Sequence, residues 1–452
     1  MGCTRSRLRI WARFAVALGF AAYITPPTTV WAAFASQFSL SVGEQYNDNI
    51  FFEKNKQHDF ITVISPTLSL FYAPEGEVAP TANLSISSNG YAYARHTDLN
   101  NIGQDVFANG RYEYRYSPRL TLTLSDSLFR QGDARLGGYG LGFQTPGLPT
   151  TGGGPPSQNL KNLTTGGSEI GNSVSFHGAY LYQRNVSFTA EYTNQFVSFI
   201  DQGGTDVFQT ATVRGVYNWR QDHNLHAGYT LAIANSRNGN NCNIHKFDFG
   251  DDYFSNYNLQ LTPTLSLSAS TGLSINAGNV GCGGSPVANS TNITITKLWE
   301  KAFLTGGISK GLTPSFGVSG TSNTTRFFTN FLMRITENLT ATSNINFSLY
   351  DTKTVNFKTF QAAMGLQYTI SSWLSSVLDY RFNWTDGGSG ANTTNLLTQG
   401  VVNSNSIFLG LTSRFDLWPN VGFARGLGPS AAPPVLNTPF PTPAPTAAAP
   451  TR

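Results

Sequence analysis

Charge is what this sequence has least of. Lys, Arg, Asp and Glu make up 12% of its 452 residues, about half the share that a soluble globular protein carries. Long apolar runs are missing too. A membrane-spanning helix needs about 20 consecutive apolar residues, and the one candidate stretch stands at the extreme N-terminus, so a helical membrane protein is excluded. The net charge of +4 is small and scattered, which excludes a nucleic-acid partner. No Gly-rich phosphate loop precedes a helix, and no nucleophile or carboxylate pair shares a recognisable motif with any of the 6 His. The chain is therefore not read as an enzyme, and nothing in it calls for a cofactor or a catalytic metal.

What is present points one way. Aromatic residues reach 13%, with 32 Phe and 19 Tyr beside 45 Gly, yet the mean hydropathy is only -0.18. Few charges, many aromatics and a neutral average suit strands that alternate between lipid and water.

The N-terminus reads as a secretory signal peptide over 1–35. Arg5, Arg7, Arg9 and Arg13 form a basic segment, Phe14 to Ile24 an apolar one, and Ala33-Phe34-Ala35 a small-x-small cleavage site, placing the mature start at Ser36. Pro26-Pro27 interrupts the apolar run, and no cysteine follows it to take a lipid. Cys3 leaves with the signal. Cys242 and Cys282 remain, expected in two consecutive external loops, and an exported chain with two cysteines is expected to join them in one structural disulfide.

From Ser36 to Trp418 one theme repeats: segments of roughly ten alternating residues, with breaks that are short and long in turn. In Asp105 to Tyr116, Val106, Ala108, Tyr112, Tyr114 and Tyr116 share one face, and Asp105, Asn109, Arg111, Glu113 and Arg115 the other. A strand alternates its side chains with period two, so one face is apolar and the other polar. Asn185 to Ile200, Thr325 to Ile335 and Trp373 to Trp384 repeat the pattern. Asp126 breaks it by falling with Leu120, Leu122 and Leu124, and a bulge or strand end is expected there. Short breaks fall at 117–118, 183–184, 220–222, 262–263, 299–301, 336–338 and 371–372. Longer ones fall at 47–58, 96–103, 131–167, 237–246, 277–290, 311–320 and 387–402, with brief exceptions near 201–205 and 351–356. Short turns at one end and long loops at the other are the mark of an outer-membrane barrel. The fold expected is an all-β transmembrane antiparallel up-and-down β-barrel over 36–418, of about 18 strands with 16 as the fallback. The last strand is expected over Asn405 to Trp418, and the Pro/Ala-rich 419–452 as a disordered tail.

The polar face defines the candidate site. It carries Arg111, Arg115, Arg214, Arg326, Arg334, Arg381 and Arg414, with Glu113, Glu191, Asp248, Asp252, Asp379 and Asp416. The signs nearly cancel, which suits a wet lumen stabilised by cross-strand pairs better than a selective ring of one sign. Phe107, Phe328 and Phe360 are candidates for aromatics facing the lumen. Residues 131–167 form the longest loop, with few charges (Asp133, Arg135, Lys161), and read equally as an inward constriction or an external flap. Asp248, Asp251 and Asp252 offer oxygen ligands for Ca²⁺, but Asp251 should point away from the other two. His223 and His226 likewise fall on opposite faces.

Tyr46-Asn47-Asp48-Asn49-Ile50-Phe51-Phe52 resembles the signature that opens the β-barrel porin type 2 family. Ile64-Ser65-Pro66, Gly307 to Lys310 and Phe316 to Gly320 are similar to further short motifs of that family and of barrels associated with exopolysaccharide and exosortase loci. The resemblance covers most of 36–418 and implies a barrel without an assigned substrate or site residues. The expected function is a weakly selective porin-like channel for small hydrophilic solutes. Alternatives are a barrel partner in exopolysaccharide export and a plugged structural barrel. The surroundings expected are outer-membrane lipid outside and a small solute or polysaccharide cargo within; the pattern sets no oligomeric state.

Overall fold

A sheet with one lipid-facing and one polar face leaves unpaired backbone at its edges unless it closes on itself. The computed structural model, which describes residues 32–74, 80–131, 168–200, 203–220, 223–235, 241–255, 265–277, 287–314, 321–351, 356–387 and 400–418, is closed. Its first six strands are β1 (Ala32–Asn47), β2 (Asp59–Pro74), β3 (Thr81–Tyr93), β4 (Asn101–Ser117), β5 (Leu120–Gln131) and β6 (Glu169–Gln183). Next come β7 (Val186–Phe199), β8 (Thr205–Arg220), β9 (His223–Asn235), β10 (Asn241–Ser255), β11 (Leu265–Asn276) and β12 (Val287–Leu298). The last six are β13 (Ala302–Pro314), β14 (Thr321–Arg334), β15 (Leu339–Asp351), β16 (Asn356–Ser371), β17 (Leu374–Gly387) and β18 (Val401–Trp418). Each pairs antiparallel with its sequence neighbours, and β1 closes the ring on β18, with Val42 opposite Leu411 and Gly43 opposite Gly410. The count is 18; the 16-strand fallback falls away. Strands spaced ~4.8 Å apart and tilted by ~40° make such a ring roughly 35 Å across at the backbone.

The breaks alternate between the two ends. Nine connections (48–58, 94–100, 132–168, 200–204, 236–240, 277–286, 315–320, 352–355 and 388–400) lie at one end, and eight (75–80, 118–119, 184–185, 221–222, 256–264, 299–301, 335–338 and 372–373) at the other. Two turns at the second end use a hydroxyl in place of a ladder bond. Ser117 Oγ accepts from the backbone of Arg119 and Leu120 at 3.2 and 3.1 Å, and Thr336 Oγ1 from that of Leu339 at 3.0 Å.

Several boundaries differ from the sequence reading. The connection between Pro74 and Thr81 has no tight Ser/Thr-Pro signal in its sequence and escaped notice. The strand β18 starts at Val401 rather than Asn405, because its ladder runs on to Asp386 of β17. The strand β10 starts at Asn241, so Cys242 belongs to a strand and stands opposite Ala234 rather than in a loop. The break expected at 262–263 lies in 256–264, outside the described residues. Asp126 makes no bulge: β5 runs in register through it on both sides, and Asn172 Nδ2 donates to Asp126 Oδ1 at 2.5 Å. A hydrogen bond to its own wall takes the place of the expected break. The strand β1 begins at Ala32, ahead of Ser36, and its first four residues pair with Pro74 to Phe71. The rest of the expected signal, the loop 132–167 with Asp133, Arg135 and Lys161, Cys282 and the tail 419–452 all lie outside the described residues.

The outward face is the apolar one. Val42, Ile64, Phe247, Phe249, Leu409 and Leu411 are all exposed on it. At the short-turn end it carries Tyr116, Tyr180, Tyr182, Tyr217, Trp219, Trp299 and Trp373, also exposed. Amphipathic rings of this kind settle at a membrane–water interface. Arg220 Cζ lies 4.7 Å from the Trp219 ring centroid, and Lys297 Nζ 5.9 Å from that of Trp299, so cations cover these rings where the membrane would end. No helix among the described residues is long and apolar enough to cross a membrane, which says nothing of a β-barrel, since membrane barrels cross with strands.

Candidate functional site, the inner wall of the barrel

Residues opposite each other in a ladder share a face, so the registers carry one face round all eighteen strands. The exposed apolar side chains mark the outside; the alternate positions form the inner wall. On that wall stand Arg111, Glu113 and Arg115 of β4, Glu191 of β7, Arg214 of β8, Asp248 and Asp252 of β10, and Arg326 and Arg334 of β14. Asp379 and Arg381 of β17 and Arg414 and Asp416 of β18 complete the set.

The structure then sorts them into pairs. Glu113 accepts from Arg111 Nη2 at 3.1 Å and lies 3.6 Å from Arg115 Nε. Arg381 Nε meets Asp379 Oδ2 at 2.7 Å. Arg214 and Asp248 sit two strands apart, yet Arg214 Nη2 reaches Asp248 Oδ2 at 3.1 Å. They meet because the residue between them on β9 is Gly228, where an added Cβ would stand 3.1 Å from Asp248 Oδ1. Asp248 is 4% exposed while Arg214 is 40% exposed, so the carboxylate is built into the wall and the guanidinium faces the lumen. Arg326 donates to Asn346 Oδ1 through Nε at 3.1 Å and Nη2 at 2.6 Å, with its Cζ 5.7 Å from the Phe328 ring. Asn346 Nδ2 donates onward to Asn344 Oδ1 at 2.5 Å, and Asn344 Nδ2 to Asn330 Oδ1. Glu191 lies opposite His177 and Thr212. Among the described residues no carboxylate pairs with Arg334 or Arg414; they lie opposite Thr340 and Ser39. Asp416 accepts from Gln37 Nε2 at 3.1 Å.

The proposed Ca²⁺ triad is split by the sheet. Asp251 faces outward and holds His223 Nδ1 at 2.6 Å, whereas Asp252 faces inward, 3.3 Å from His226 Nδ1. His226 is 2% exposed. Among the described residues no group of three His, Cys, Asp or Glu could hold a metal. Of the aromatic candidates, Phe107 and Phe328 face inward. Phe360 faces outward, opposite Phe347 and Trp384, since β16 turns its even-numbered residues to the lipid.

Two features escaped the sequence reading. Lys246 belongs to the inner wall between Thr230 and Ser274. It was taken for loop, though its parity with Asp248 and Asp252 would have placed it. The second is an apolar patch near the long-loop end. Ile50 of the first loop packs with Ile61, Val63, Tyr91, Tyr93 and Phe408, with Phe51 and Leu99 against them. Ile61, Val63, Tyr91, Tyr93 and Phe408 all occupy inner-wall positions, so the loop 48–58 folds inward and covers the wall there. Phe408 lies over Gly43 and Gly410, where an added Cβ would meet its Cζ at 2.5 Å in each case.

The motif that carried the resemblance builds this inward fold. Asn49 Nδ2 donates to Glu53 O and Asn403 O at 2.8 and 2.9 Å, and Asn49 Oδ1 accepts from Glu53 N at 3.0 Å. Asp48 Oδ1 accepts from Asn405 N at 2.6 Å, and Asp48 Oδ2 from Asn405 Nδ2 and Lys56 Nζ at 2.9 and 2.8 Å. Phe52 takes a left-handed φ of 50°, costly for an aromatic residue, while its N–H donates to Asn49 O at 3.1 Å and its ring is buried. The buried Asp59 ties the next loop to this one, accepting from His96 Nδ1 and the Arg95 and His96 backbone N–H groups at 2.8 to 3.2 Å. The loops 48–58 and 94–100 are thus stitched to each other and to β18, across the seam where the barrel closes.

Cys242 is buried on this wall and disulfide-bonded; its partner lies outside the described residues.

No family profile matches the sequence, and no curated protein does. Among solved structures, OpdQ of Pseudomonas aeruginosa matches 85% of this chain and 99% of its own at 10% identity, with a TM-score of 0.42. OccK7 (OpdD) of the same organism matches 85% and 99% at 9% identity and 0.43. Its siderophore receptor PirA matches 86% and 81% at 10% identity and 0.38. These are likenesses of barrel scale; the reading of function comes from the chain's own walls.

Proposed function

We propose that this chain is an outer-membrane channel that passes small hydrophilic solutes with weak selectivity. The observation that carries the reading is the way the inner wall neutralises much of its own charge. Glu113 stands between Arg111 and Arg115, Asp248 holds Arg214, and Asp379 holds Arg381. Paired charges keep the wall wet without presenting a ring of one sign, and a selective filter is such a ring. The apolar, aromatic-rimmed outer face supports membrane placement, and the secretory signal read in the N-terminus supports the outer membrane.

A second reading, passage of a polysaccharide, draws on Phe107 and Phe328 facing inward, the latter beside Arg326, because sugars stack on aromatic faces. Single-channel conductance of the mature chain in planar bilayers, with and without residues 131–167, tests the first reading. Large, steady openings are expected, and no conductance in either form would refute a passive channel. Block of those openings by oligosaccharides but not by monosaccharides would favour the second.

A further inference from the structure

The outer wall carries a few polar side chains, and most are settled near its rims. Glu44, three residues from the loop end of β1, accepts from Thr62 Oγ1 at 2.7 Å. Asp251 meets His223, the first residue of β9, at the short-turn end. Lys310 of β13 also faces outward, in a row with Thr291 and Thr325; the larger group lies on β5 to β8. Asp126 is the seventh of the twelve residues of β5, flanked on the same face by Leu124 and Leu128. The registers align Asp126, Val174, Asn194 and Gln209 in one row across β5 to β8. Asn172, which donates to Asp126, faces outward beside it. Asn194 Oδ1 is shielded from solvent and accepts no hydrogen bond among the described residues. Arg130 projects two outward positions beyond Asp126, exposed, with no partner among the described residues.

Lipid chains offer nothing to such a row, and polar or ionised side chains at this depth are costly unless another protein surface meets them. Gly110 stands in the row of Asp126, and Gly178, Ala190 and Ala211 are interspersed with Leu124, Phe176 and Tyr192 on the same outward face. Small residues and amides set among larger apolar ones are what close packing between membrane helices uses.

We propose that the outward face of β5 to β8 is the contact surface for a second copy of this chain, packed side by side with it in the membrane. Two copies inserted in the same orientation bring identical rows to the same depth. The patch is self-complementary, as a two-fold contact requires: in the row Asp126 and Asn194 Oδ1 accept and the amides of Asn194 and Gln209 donate, and beside it the Asn172 amide and the Arg130 guanidinium donate. A soluble partner does not reach the middle of a membrane-spanning strand.

The test is oxidative cross-linking in intact outer membranes. Asn194→Cys is compared with Met364→Cys, which faces outward on β16 across the barrel; Cys242 is already disulfide-bonded and does not compete. Asn194→Cys is expected to give an adduct of two chains, and Met364→Cys none. Adding Asp126→Leu and Asn172→Leu should keep the folded barrel's gel mobility and cut the Asn194→Cys yield about tenfold. Equal yields at the two positions, an adduct with a protein of another mass, or a yield unmoved by the leucines would each overturn the proposal.

Discussion

Asp48→Ala should loosen the closure of the barrel. Asp48 follows the last residue of β1 and binds β18 across the seam, through Asn405 N at 2.6 Å, Asn405 Nδ2 at 2.9 Å and, beside them, Lys56 Nζ at 2.8 Å. Its own N–H donates to Asn405 O at 3.0 Å and survives the substitution. The Lys56 arm is exposed and contributes ~0–1 kcal/mol. The two Asn405 arms end on a charged group, at roughly 1.5–3 kcal/mol each before water replaces them. With the carboxylate 22% exposed, water recovers part of this, leaving a loss of about 2–4 kcal/mol. Burial works against the Asp48 charge, but the bonds from Lys56 and Asn405 outweigh it and hold the carboxyl below the usual carboxylate range. A depressed folded-state pKa stabilises above the unfolded value of about 3.9, and the contribution is lost as pH falls through the folded value. The gap between wild type and Asp48→Ala should therefore be full near neutrality and shrink in acid, with Asp48→Asn intermediate because one acceptor oxygen remains. Urea unfolding of the barrel in lipid vesicles, followed by tryptophan fluorescence at about pH 7 and about pH 3, reads this directly. A gap below about 0.5 kcal/mol near neutrality, or one that widens in acid, would refute the reasoning.

Gly43→Ala places a Cβ 2.5 Å from both Leu409 O and Phe408 Cζ; the carbonyl cannot move without breaking the seam, so a loss of about 1–3 kcal/mol is expected in the same assay, with Phe408→Leu relieving only the ring's share. Asp248→Asn frees the Arg214 guanidinium that now faces its carboxylate at 3.1 Å, so the reversal potential in a salt gradient should move toward anion preference, and Arg214→Gln should move it the other way; shifts of one sign from both would contradict the pairing. Joining Cys242 to Cys282 closes a loop of about 40 residues, for which chain entropy gives about 4 kcal/mol. A non-reduced digest should release those two peptides together, and Cys242→Ser should lower the unfolding midpoint.

The residues made the fold legible because period two leaves few choices. Val106 to Tyr116 on one face and Asp105 to Arg115 on the other are a strand under any packing, and an exported chain with such strands and alternating short and long breaks has little option but to close. Phe360 went astray because Lys358 and Gln361 are both polar neighbours, so alternation is ambiguous locally and only the ladder with β15 sets its side. Cys242 and Lys246 went astray because Asn and Gly just before them read as loop. Asp126 was noticed for what it is, an acid on an apolar face, but the expected remedy was wrong: a donor on β6, distant in sequence, keeps the strand straight.

By itself, then, the sequence determined the two faces of each strand, the alternation of the connections and which charges share the polar face, since all of these follow from spacing along one strand. Tertiary structure decided what spacing does not encode. It chose which acid answers which arginine, and it allowed Arg214 to cross β9 because Gly228 leaves the space. It folded the loop 48–58 inward onto Phe408, a residue about 350 positions away that closure brings beside it. It also set Asp126, Asn194 and Gln209 in one outward row, with Asn172 beside it. Such contacts depend on register between strands, and register is set only when all eighteen have found their neighbours.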